Sequence, residues 1–87
     1  MNEKKFVALC RETVMKYVNS RLDKADGKRI TKDDVFIVWL CKALRNSKAM
    51  ASTTLDDGMY YELTYNGEKN ELYVDAYKKC ENICITI

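Results

Sequence analysis

The sequence predicts an α+β fold: one N-terminal amphipathic helix packed on an antiparallel β-meander of four strands, with room for a fifth, in a single domain spanning residues 1–87. Three observations lead there. Apolar residues recur every three or four positions from Glu3 to Leu22, the helical period. Val35 to Trp39 is an unbroken β-branched and aromatic block. Finally, two runs of alternating apolar and polar residues flank a polar turn containing Asn66 and Gly67, residue types that tolerate positive φ and signal a β-hairpin.

The helix, about residues 3–22, carries Phe6, Leu9, Cys10, Val14, Tyr17, Val18 and Leu22 on one face, with Lys5, Glu12, Lys16 and Asn19 opposite. A loop over Asp23–Arg29 follows. Its Asp23, Asp26 and Gly27 lack the one-three-five oxygen spacing and the glycine at six of a calcium loop. Thr31 with Asp34 three residues on resembles a capping box, and Leu40, Ala43 and Leu44 would suit a helix. The β-branched block argues against a helix and fits a strand buried on both faces. Strands are expected at about 35–44, with a turn at Arg45–Lys48, then at 49–55, 59–65 and 70–77. In the last hairpin, Tyr65 opposite Asn70 sets Leu63 against Leu72, Tyr61 against Val74 and Met59 against Ala76 on one face. A bend over 78–82 then leads to a short last strand at 83–87, although a helical face over 73–87 competes with it.

Eighty-seven residues make a thin core, burying about 60–65% of the unfolded surface, so a partner subunit would help. No apolar run reaches the ~18 residues of a membrane helix, and the N-terminus lacks a signal-peptide core. A cytoplasmic protein without membrane contact is expected. Cys10, Cys41, Cys80 and Cys84 then read as buried thiols rather than disulfides. With no histidine and no pair spacing for the other cysteines, no metal site is assigned and no cofactor is expected. Up to Lys32 there are nine Lys and Arg against four Asp and Glu, a net +5; from Asp33 onward six against nine, a net −3. The aromatic residues lie on the acidic part, which disfavours nucleic acid as a partner.

A single helix covers one face of a meander, and the Val35–Cys41 strand is apolar on both. The uncovered face is expected to carry Tyr60, Tyr73 and Tyr77 with Glu62, Asp75 and alternate residues of the first strand, Trp39 among the candidates. Such a patch marks self-association through the sheet face opposite the helix, or another protein as partner. The competing reading is a curled sheet whose C-terminal tail buries the rings. No catalytic residues are assigned: Glu62, Glu71 and Asp75 among tyrosines read as a strand's outer surface, Ser52, Thr53 and Thr54 lack a base, and Cys41 beside Lys42 needs exposure to react.

The runs DDVFIVWLCKALRNSKAMASTTL and GMYYELTYNGEKNELYVDAYKK resemble an uncharacterised family of small proteins encoded by phages and prophages, chiefly of Gram-positive bacteria. The resemblance spans about Thr31 to Lys79, with YNGEKNELYVDAYKK its most specific part, and Cys80 departs from it where a larger aromatic is expected. It implies a viral or prophage gene, with no established activity and no catalytic residues to carry over; a non-enzymatic accessory role is expected by analogy with other small phage proteins. The expected function is binding of a host macromolecule through the aromatic face. The alternatives are a nucleotide-like small molecule held between Tyr, Trp and Lys or Arg side chains, and nucleic acid on the basic helix.

Overall fold

The computed structural model describes residues 1–22 and 27–87. Helix α1 spans Glu3–Arg21, a 3-10 turn spans Lys32–Asp34, and four strands follow: β1 (Val35–Ala43), β2 (Asn46–Thr53), β3 (Met59–Asn66) and β4 (Glu71–Lys78). The strands form one antiparallel sheet in the order β1-β2-β3-β4, with α1 on one face. This is the expected α+β meander. Of the loop expected over Asp23–Arg29, residues 23–26 lie outside the described residues.

Asn2 caps α1, its Oδ1 accepting from the Lys5 N–H at 2.8 Å, which satisfies one of the orphan donors of the first turn. Phe6, Cys10, Val14 and Val18 are buried at i, i+4 spacing along one stripe, as the apolar period requires. They meet Val35, Ala49, Ala51, Tyr61, Leu63 and Tyr65 from the sheet. The alanines matter because a helix lies close only over small side chains. Burial pushes the Cys10 thiol up to about 12, so it stays protonated as a small apolar group. Asn19, expected on the solvent side, has a structural task instead. Its side-chain amide accepts from the Ile30 N–H (2.9 Å) and donates to the Ile30 carbonyl (3.0 Å), tying the returning chain to the helix.

The Thr31–Asp34 pair does form a box, but around a 3-10 turn that starts a strand. The Asp34 carboxylate accepts from the Thr31 N–H (2.8 Å) and from the hydroxyls of Thr31 and Thr54 (3.3 Å each). The Thr31 N–H first, then these hydroxyls, hold the Asp34 carboxyl below its ordinary range. After Asp34 the β-branched block wins over helix propensity, because all of its residues except Val38 have a neighbour across the ladder to β2.

Four expectations need correction. The first turn comes earlier than Arg45–Lys48: Ala43 pairs with Asn46, leaving Leu44 and Arg45 as a two-residue loop with Leu44 at φ +56°. Accordingly β2 starts at Asn46 and ends at Thr53, ahead of the expected 49–55. The β3–β4 register is shifted by two: Asn66 faces Glu71, Leu63 faces Val74 and Tyr61 faces Ala76. The loop has the expected four residues but begins at Gly67, and positive φ falls on Asn70 (+53°). There the Tyr65 hydroxyl donates to Asn70 Oδ1 at 2.8 Å, and Asn66 Oδ1 accepts from the Glu68 and Lys69 N–H groups. A shift of two preserves the faces. Residues 79–87 carry no regular structure, so the last strand at 83–87 does not form. Finally, only Cys10 is buried; Cys41, Cys80 and Cys84 are exposed free thiols.

Two turns are locked together at one end of the sheet. Asn46 Oδ1 accepts from the Gly67 N–H at 3.2 Å, and a Cβ on Gly67 would collide with the Arg45 carbonyl. Glycine is required there by contact rather than by φ.

Candidate functional site

Alternation along each strand assigns every side chain to a face. Val35, Ile37, Leu40, Ala49, Ala51, Tyr61, Leu63, Leu72 and Val74 belong to the helix side. On the far side, cross-strand pairing lays out three rows: Phe36, Ser52, Tyr60, Tyr77; then Trp39, Met50, Glu62, Asp75; then Cys41, Lys48, Thr64, Tyr73. All six predicted site residues (Trp39, Tyr60, Glu62, Tyr73, Asp75 and Tyr77) share this face.

A β-bulge decides the position of Trp39. Strict alternation from Val35 and Ile37 would send Trp39 towards the helix. The ladder shifts between Ile37, opposite Ala51, and Trp39, opposite Met50, leaving Val38 without a partner. The extra residue resets the alternation. Phe36 and Trp39 therefore stand on one face despite their spacing of three, and Leu40 returns to the core. Phe36 was not singled out from the sequence. A three-residue spacing inside an otherwise β-like run was the available signal.

The face is open. Phe36 is 50% exposed, Trp39 42%, Tyr73 52% and Tyr77 51%, and Tyr60 is half-buried. The tail does not enclose the rings, so the alternative of a second small core is not what the chain forms.

Polar groups link the rings. Glu62, in the middle row, accepts from the Tyr77 hydroxyl at a long 3.5 Å and lies 3.5 Å from Lys48 Nζ. The Glu62 carboxylate, more than any other group, raises the Tyr77 phenol above its ordinary value. The Tyr73 hydroxyl donates to Glu71 at 3.3 Å. With Glu62, Glu71 and Asp75 against Lys48, the face carries three carboxylates and one ammonium group. Lys42 lies on the other side of the sheet, where its Nζ donates to the Met1 carbonyl (3.1 Å), so it does not sit beside the exposed Cys41 thiol. Lys5 and Lys16, exposed on α1, are likewise remote from the rings.

Among the described residues no three His, Cys, Asp or Glu side chains converge as metal ligands, and no helix is long and apolar enough to cross a membrane. No curated protein and no solved structure matches the chain significantly. Residues 7–87, which include α1 from its second turn, the whole aromatic face and the tail beyond Lys79, match a family described as a family of unknown function (DUF6275), and the chain belongs to that family.

Proposed function

We propose that this protein is a non-enzymatic binding module, an accessory protein of phage or prophage genomes, that docks a host protein on the aromatic face of its sheet. The observation that carries the proposal is the group of five rings, Phe36, Trp39, Tyr60, Tyr73 and Tyr77, left on one uncovered surface while α1 covers the opposite face over β1 and β2. Aromatic side chains offer large contact area at low entropy cost and dominate binding energetics. The three carboxylates among them favour a partner whose apolar contact surface is rimmed by Lys and Arg.

The two alternatives draw less on the geometry. Lys48 is the cation of the face and is already beside Glu62, which leaves little to neutralise a nucleotide's phosphates. Nucleic acid would need the aromatic and basic surfaces together, whereas here they lie on opposite sides of the sheet.

The test is affinity capture from host extract with wild type and with a Trp39→Ala/Tyr73→Ala variant, followed by titration of the recovered protein. The expected outcome is a specific partner whose affinity falls at least about 30-fold in the variant, as for hot-spot residues. Equal recovery by both proteins, or no partner with wild type, contradicts the proposal.

A further inference from the structure

We infer that residues 83–87 of one copy add as a strand to the free edge of β4 in a second copy, so that the protein is a dimer joined by mutual exchange of its C-terminal segments. Both halves of this contact are unsatisfied in the same chain. Strand β4 pairs with β3 alone, and its other edge presents unpaired backbone N–H and C=O groups, the usual template for an added strand. On the helix side of β4, Leu72 and Val74 are only partly buried and Ala76 is exposed, because α1 packs chiefly over β1 and β2. That leaves an apolar strip one strand wide beside an open edge.

The segment Ile83-Cys84-Ile85-Thr86-Ile87 has the matching pattern. It is uncharged, rich in β-branched residues, and alternates with the period of a strand. Yet it lies in no ladder, with Ile83 67% and Ile85 78% exposed. Paired on β4, it would turn Ile83, Ile85 and Ile87 to the side of Leu72 and Val74, and Cys84 and Thr86 to the tyrosine side. The family match extends through this segment.

The second copy is chosen over other partners for two reasons. Exchange is reciprocal about a two-fold axis, so both edges and both segments are satisfied at once. Pairing β4 with its own symmetry mate would instead crowd the Glu71 and Asp75 carboxylates of two copies. In addition, the chain has 6570 Å² of accessible surface, whereas a folded monomer of 10.1 kDa has about 5300 Å². Its Cα radius of gyration of 14.5 Å likewise exceeds the roughly 12 Å of a domain this long. The surplus, about 1300 Å², is more than the roughly 800 Å² that a standard interface buries per partner.

Light scattering after size exclusion tests the inference, together with circular dichroism as a check of folding. Wild type is expected at twice the 10.1 kDa chain mass. Truncation after Asn82 and the full-length Ile85→Lys variant are both expected at the single-chain mass with the helical signal of α1 kept, while Ile85→Val stays dimeric. Exchange of the edge-facing amides of 71–78 and of the 83–87 amides bonded to that edge should be slow in wild type and fast in Ile85→Lys, while the β4 amides that face β3 stay protected in both. A wild type that keeps the single-chain mass at its highest soluble concentration overturns the inference. So does a dimer that persists in both variants; its loss on Trp39→Ala would move the contact to the aromatic face. The inference is independent of the proposed function, since the truncated monomer retains every ring and should still capture the host protein.

Discussion

The two faces of this sheet are built from the same four strands and have opposite fates. On the helix side, Leu63, Ala49 and Ala51 are fully enclosed beneath Phe6, Cys10 and Val14. On the far side, Phe36, Trp39, Tyr73 and Tyr77 keep about half their surface in water. Aromatic content does not separate the faces, because both carry rings. What separates them is the supply of covering elements: there is one amphipathic helix, and it can lie on one side. Exposed rings on a small protein are therefore a consequence of topology, and they are available for a partner.

The largest expected difference comes from truncating one residue on each face. Leu63→Ala should cost about 2–5 kcal/mol in denaturant unfolding, since it opens a cavity in a fully packed site. Trp39→Ala should cost about 1 kcal/mol or less despite the larger side chain, as for surface positions. Equal costs would mean that the faces are not as unlike as described.

Next in size is the seam between the two turns. Gly67→Ala forces a methyl group against the Arg45 backbone carbonyl and should destabilise by about 1–3 kcal/mol, the usual cost of overpacking. Asn46→Ala, which removes the acceptor of the Gly67 N–H, should cost about 1 kcal/mol.

A smaller effect of opposite sign is expected at the first turn. Leu44 is 95% exposed at φ +56°, so glycine loses no packing and escapes a left-handed penalty of about 1–2 kcal/mol. After glycine's own entropy cost of about 0.5–1 kcal/mol, Leu44→Gly should raise stability by about 0.5–1 kcal/mol. A drop in melting temperature would show that Leu44 makes a contact of its own.

Smallest is a pH effect at the start of β1. The Asp34 carboxyl titrates below its unfolded value, so its contribution is complete above the ordinary carboxylate pKa of about 3.9. It is lost as the pH falls through the lowered value. The melting temperature of Asp34→Asn should therefore lie below wild type at neutral pH and converge with it in acid.

These comparisons also show what the sequence made legible. The helix was readable because seven apolar residues kept one period, and the hairpin faces survived a register expected two residues away because alternation depends only on parity. The side of Trp39 was not readable. A bulge at Val38 leaves no mark in composition, and the flip of Trp39 depends on which residues of β2 stand opposite. The early β1–β2 turn was hidden for a related reason: a leucine occupies a left-handed position that ordinarily announces itself by Gly or Asn. The residue types of 83–87 predict a strand, but within the chain the segment has no neighbour to pair with.

The most direct measurement of the open face uses the single tryptophan of the chain. Trp39 fluorescence should be quenched readily by acrylamide in the purified protein and should become protected and blue-shifted when the host partner is bound. Quenching in the free protein as weak as that of an enclosed indole would contradict the account, because it would mean that the far side of the sheet is already covered.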